Sequence, residues 1–223
     1  MYKTADTAAG QNSVWKTPTL AQIPDRLAIS VLRKGITMAI KIFIDQGHNP
    51  SGFNTGAEAN GLREQDITYN VGIQLAQLLR QDERFEVLTS RTCISQIVGY
   101  SNRTSLEERV WRANWWGADW FLSIHCNSST NPTASGSEIF VYRSHTRAYY
   151  MAEDILAEIT EQLQLRSRGV KVNPDFYVLR RTDMPAMLIE LAFITNPSDA
   201  QKLQNDQHIF AQAIYDGLVE YLF

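Results

Sequence analysis

The 223-residue chain has only two cysteines, Cys93 and Cys126, and no Cys-x-x-Cys pair, so neither a disulfide scaffold nor a thiolate zinc cluster is encoded. Both are expected to be free, partly buried thiols. It has no apolar run near the length of about 18 residues that spans a bilayer, so stable membrane insertion is not expected. It has no block of like charge: 21 basic residues stand against 24 acidic ones, a formal net charge of −3, which argues against nucleic acid as a main partner. No Gly-x-Ser-x-Gly elbow, no P-loop and no internal repeat is present. What remains is an ordinary globular composition, 44% hydrophobic and 20% charged, long enough for one domain with a sizeable core.

Residues 1–37 differ from the rest. Met1 to Lys16 is small and polar and lacks the basic start and apolar core of a signal peptide. Leu20 to Leu32 can form one short amphipathic helix after Pro24. The segment reads as a poorly ordered tail, or as sequence ahead of a natural start at Met38. The domain is expected over 38–223.

From Lys41 onward, apolar strands alternate with amphipathic helices, which predicts an α/β domain: a twisted, mostly parallel sheet of about six strands flanked by helices. Strands are expected at Ile42–Ile44, Phe85–Arg91, Trp120–His125, Gly136–Tyr142, Phe176–Leu179 and Ala186–Glu190. Helices are expected from about Glu64 to Arg80, Ser105 to Trp116, Arg147 to Leu163 and Asp206 to Leu222. The third of these follows a polar loop. Ser105-Leu-Glu-Glu108 reads as a capping box, Arg168-Gly-Val-Lys171 as a turn, and Trp111, Trp115, Trp116 and Trp120 as core packing rather than a glycan-stacking surface.

Three strands end in a potential ligand or base: His48 after Lys41-Ile-Phe-Ile-Asp-Gln-Gly, His125 after Trp120-Phe-Leu-Ser-Ile, and Glu190 after Ala186-Met-Leu-Ile. In open α/β sheets, ligands bind at the carboxyl ends of the strands. Glu64 heads the buried stripe of its helix, where the helix dipole alone would also favour an acid. Two histidines, one carboxylate and a water are the ligand set of a catalytic zinc. Glu190 then stands as general base toward that water. His145 and His208, in a polar loop and at a helix start, are weaker candidates. Cys126 points to the opposite side of its strand and reads as a core thiol.

Taken in order, these residues resemble the zinc-dependent N-acetylmuramoyl-L-alanine amidases of the amidase-3 type over about Lys41 to Phe223. Ile44-Asp-Gln-Gly-His48, Gly61-Leu-Arg-Glu64, Ser123-Ile-His125-Cys-Asn127, Gly136-Ser-Glu138 and Pro185-Ala-Met-Leu-Ile-Glu190 carry the likeness. Leu88-Thr-Ser-Arg91 and Glu108-Arg109 with Ala113-Asn114 serve as intermediate landmarks.

The resemblance implies one zinc ion held by His48, Glu64 and His125, with Glu190 as catalytic acid/base. It implies cleavage of the amide between N-acetylmuramic acid and the first L-alanine of the stem peptide. The expected partner is peptidoglycan and the place of action the cell wall, although no export signal is visible. A monomer with an open groove is expected. Asn127 and Glu138 are expected to meet substrate, Asn127 toward the tetrahedral oxyanion. Asn49-Pro50 and Ala192 depart from the family pattern beside two of these residues. Two rival readings are a zinc peptidase of the stem peptide and a non-catalytic peptidoglycan-binding domain.

Overall fold

A computed structural model describes residues 38–223. The expectations for residues 1–37, the Leu20–Leu32 helix among them, lie outside the described residues. The elements run β1 (Ile40–Gln46), β2 (Glu58–Ala59), β3 (Leu62–Arg63), α1 (Glu64–Arg80), β4 (Phe85–Thr89), α2 (Asn102–Trp116), β5 (Trp120–Asn127) and β6 (Ser137–Val141). They continue with α3 (Arg147–Gln162), β7 (Ser167–Val172), α4 (Tyr177–Arg181), β8 (Ala186–Phe193), α5 (Pro197–Asn205) and α6 (Gln207–Leu222).

Six strands form one sheet in the order β4-β1-β5-β8-β6-β7. Every pairing is parallel except that of β6 with β8. The central strands read as near-continuous apolar runs because both faces of the sheet are covered. Their period of two sorts the side chains. Ile42 and Ile44 of β1, Trp120, Leu122 and Ile124 of β5, and Met187, Ile189 and Leu191 of β8 share one core with α1, α3 and α6. Phe43, Phe121 and Leu188 face the other way, against Val110 and Ala113 of α2 and Val178 and Leu179 of α4. The same alternation, carried to the strand ends, sends Asp45, Ser123, His125 and Glu190 to this second face.

Four expectations change. Arg168-Gly-Val-Lys171 is not a turn but part of β7, a strand at the sheet edge whose polar residues face solvent. Tyr177 to Leu179 is not a strand: it begins the short helix α4, and its β-prone residues pack against the sheet instead of pairing within it. α2 starts three residues earlier than expected. Its capping box joins Ser101 and Thr104, and Ser105 is a buried helical residue. Trp120 is core at 1% exposure, but Trp111 and Trp115 are 60% and 75% exposed and stack on each other across one helical turn. Of the two free thiols, Cys126 is buried and Cys93 exposed.

Candidate metal centre and its surroundings

β1, β5 and β8 lie side by side and parallel, so their carboxyl ends open at one edge of the sheet. His125 of β5 stands in register with Glu190 of β8. His48 sits two residues beyond β1. Glu64 arrives from the opposite side. β2 and β3 form a hairpin whose turn, Asn60-Gly61, has positive φ at both residues, 50° and 74°. That is the conformation a two-residue hairpin requires and Asn-Gly supplies. The chain leaves the hairpin directly into α1, whose first residue is Glu64.

Three donor atoms converge. His48 Nε2, His125 Nδ1 and Glu64 Oε1 lie 3.1 Å from one another on all three edges. Neighbouring ligands of a tetrahedral ion with bonds of about 2.0–2.1 Å stand about 3.3 Å apart. The spacing therefore fits a metal ion, and these three residues could hold one. The second shell fits as well. His48 Nδ1 lies 3.3 Å from the Asn54 carbonyl, a contact that places the proton on Nδ1 and leaves Nε2 with its lone pair. Glu64 is gripped from behind, with the Cys126 N–H donating to Oε1 and the Ala57 N–H to Oε2, both at 2.9 Å. Burial raises the pKa of the Glu64 carboxyl, but the hydrogen bonds and charges of His125 and His48 outweigh that, so it stays ionised far below the usual range.

Two buried groups hold the loop that carries His48. Arg109 of α2 donates to Asp45 Oδ1 at 2.5 Å, to the Gln46 carbonyl at 2.6 Å and to the His48 carbonyl at 2.7 Å. His48 itself adopts a left-handed φ of 68°, a strained state for a residue with a Cβ, and the Arg109 hydrogen bond fixes its peptide there. Asp45 also accepts from Ser123 Oγ at 2.8 Å. Burial pushes Asp45 up, but the Arg109 charge and hydrogen bond outweigh it, and its carboxyl is held ionised. Neither Asp45 nor the ion-pairing role of Arg109 is foreseen above. Arg109 appears there only as a landmark, and the pair lies 64 residues apart with no local signature.

Glu190 differs from the other acids. It is half-buried, and its Oε2 is shielded from solvent with no hydrogen-bond partner. Burial, then the charges of Glu64 and Glu138, push its pKa up to about 8. Such a carboxyl can hold or release a proton near neutral pH. It lines a cavity of about 290 Å³ together with His48, His125, Arg109, Phe176 and Tyr177.

Asn127 and Glu138 are paired with each other beside this cavity rather than forming its wall. Asn127 Nδ2 donates to Glu138 Oε1 at 2.6 Å, and Asn127 Oδ1 accepts from the Ser128 N–H. Glu138 is directly across from Glu190 in the β6–β8 ladder and receives Arg168 Nε at 2.7 Å and Lys171 Nζ. His145 packs near Tyr149 and Tyr150, His208 starts the second turnless stretch of α6, and neither belongs to the triad.

A family model described as N-acetylmuramoyl-L-alanine amidase matches residues 42–220. The N-acetylmuramoyl-L-alanine amidase CwlM of Bacillus licheniformis is 39% identical over 180 residues, which cover 80% of this chain and 65% of that protein. The N-acetylmuramoyl-L-alanine amidase LytC of Bacillus subtilis is 38% identical over 188 residues, covering 81% of this chain and 35% of that one. The chain thus spans less than two thirds of the length of either relative. The crystal structure of an N-acetylmuramoyl-L-alanine amidase from Clostridium difficile 630 superposes with a TM-score of 0.74 at 34% identity, covering 82% of this chain and 97% of that one. With the match running from β1 into α6 and the two-histidine, one-glutamate cluster at its centre, the chain belongs to the N-acetylmuramoyl-L-alanine amidase family of the amidase-3 type.

Proposed function

We propose that the chain hydrolyses the amide between N-acetylmuramic acid and the L-alanine of the stem peptide in peptidoglycan, at the cell wall, with one zinc ion held by His48, Glu64 and His125. The observation that carries this reading is the 3.1 Å triangle of donor atoms with an unpartnered carboxyl, Glu190, one strand away. A zinc ion in such a site supplies Lewis acidity toward a carbonyl oxygen and toward water, at an open fourth position.

The chain's own residues do the rest. Glu190 removes a proton from the attacking water and returns it to the amine nitrogen of the leaving alanine. A pKa near 8 suits both halves of that transfer. Glu64 keeps its charge throughout, because two backbone N–H groups and two histidines hold it ionised. Arg109 fixes the His48 peptide, so the ligand does not move during turnover. Asn127 and Glu138 support Glu190 from the neighbouring strands, with Glu138 neutralised by Arg168 and Lys171.

The test is zinc content of the purified protein together with amine release from purified peptidoglycan, with and without chelator. The expected result is one zinc per chain and chelator-sensitive release of stem peptides bearing N-terminal L-alanine. Cuts between residues of the stem would instead make it a peptidase, and binding without release would make it a wall-binding domain. Glu190→Gln should retain zinc while losing turnover by roughly a thousandfold or more. Near-full activity in that variant would remove Glu190 from the chemistry.

A further inference from the structure

At the end of the sheet away from the metal centre, a second cleft of about 500 Å³ opens between the start of α3, the end of α4 and the start of β8. Three arginines line it: Arg143, Arg147 and Arg180. Elsewhere arginines meet carboxylates, as at Arg63, Arg84, Arg103, Arg109 and Arg168. The three cleft arginines form no ion pair or side-chain hydrogen bond among the described residues. Asp183 is the single acid in the wall, so the cleft is locally positive on a chain whose formal net charge is −3.

Two of the guanidiniums are held in place. Arg147 lies over the ring of buried Trp120, 4.9 Å from its centroid, and Arg143 over the ring of Tyr142 at 5.2 Å. Stacking fixes the plane of a guanidinium and leaves its N–H edge free, which preorganises it for an oxyanion. A single carboxylate is satisfied by one bidentate arginine, whereas the oxygens of a phosphate can accept from several.

We propose that this cleft binds phosphodiester groups of a polyol polymer. Single-stranded nucleic acid is the poorer fit, because it is gripped by stacking its bases on open aromatic faces. Here the Trp120 ring is 1% exposed and both rings already carry an arginine. The cleft and the metal centre share walls. Ala186 at the start of β8 lines the cleft and Glu190 of the same strand lines the metal cavity, separated by about 13 Å of strand. In α4, Tyr177 and Val178 face the metal cavity while Leu179 and Arg180 face the cleft. A polyanion held here would tether the protein with its metal centre free.

The test reads binding of poly(glycerol phosphate) to the full chain by calorimetry, so it is independent of whether the chain hydrolyses any amide. The expected result is salt-sensitive binding that weakens by about tenfold or more in the Arg143→Gln, Arg147→Gln, Arg180→Gln triple variant. Arg180→Gln alone, which leaves the Trp120 packing intact, should weaken it in the same direction. Arg80→Gln, outside the cleft, should bind as the parent does. Unchanged binding in the triple variant overturns the proposal. Equal affinity for poly-L-glutamate, tighter binding of a single-stranded oligodeoxynucleotide, or binding of inorganic phosphate without the polymer would each overturn it too.

Discussion

Gly47 and Gly56 have no side chains, and the metal triad stands where their Cβ atoms would be. A Cβ on Gly47 would lie 2.6 Å from His125 Cε1 and 2.6 Å from the Ile124 carbonyl oxygen. One on Gly56 would lie 2.7 Å from Glu64 Oε2 and 2.9 Å from His48 Cδ2. Both contacts are too close to persist, and the Ile124 oxygen is backbone that cannot swing aside. Gly47→Ala is therefore expected to fold yet bind metal about 10–100-fold more weakly, as measured by competition with a chromogenic chelator. Glu190 yields a second expectation at this scale. Its pKa rises from an ordinary 4.5 to about 8 in the fold, so the folded state binds the proton more tightly than the unfolded chain. Its contribution to stability is complete below about pH 4.5 and is lost as pH rises through 8. Urea unfolding of metal-free protein should show stability falling over that window, and Glu190→Gln should flatten the fall. A divalent ion in the triad offsets the repulsion between Glu64 and Glu190, so metal-loaded protein should fall less.

At the scale of elements, α2 acts as a brace. Its buried Arg109 ties the end of β1 to the helix through Asp45, Gln46 and His48. Arg109→Met should destabilise the protein by about 3–5 kcal/mol, because Asp45 would remain charged and buried without a partner. Adding Asp45→Asn should recover part of that loss, and chemical denaturation of the two single variants and the double variant measures the coupling. The elements also show what is legible in a sequence. β1, β5 and β8 are readable because each is a β-prone apolar run interrupted by a polar tip, and the tips hold three of the four proposed site residues. Glu64 is readable because it heads an amphipathic stripe. β7 is not, since an edge strand with one solvated side has the composition of a loop. α4 is not, because Tyr-Val-Leu favours strand locally while packing against Phe121 and Leu188 decides for helix. The Asp45–Arg109 pair is invisible for a different reason: only the parallel sheet brings the two together.

Across the whole molecule, the two halves of the metal site come from distant parts of the chain. His48 and His125 are 77 residues apart, and Glu64 and His125 are 61 apart. Neither pair can meet until β1 and β5 have aligned in parallel, with α1 and β4 packed between them in sequence. Contacts of that separation form late, because the loop-closure entropy must be met before they contribute. The order of folding events follows. An ion that needs all three donors has little to hold in the folding transition state and everything to hold in the native state. In stopped-flow experiments, added zinc should leave the refolding rate nearly unchanged and slow unfolding by close to the full stabilisation it confers. Faster refolding with zinc would mean that the β1–β5 pairing is already in place at the barrier.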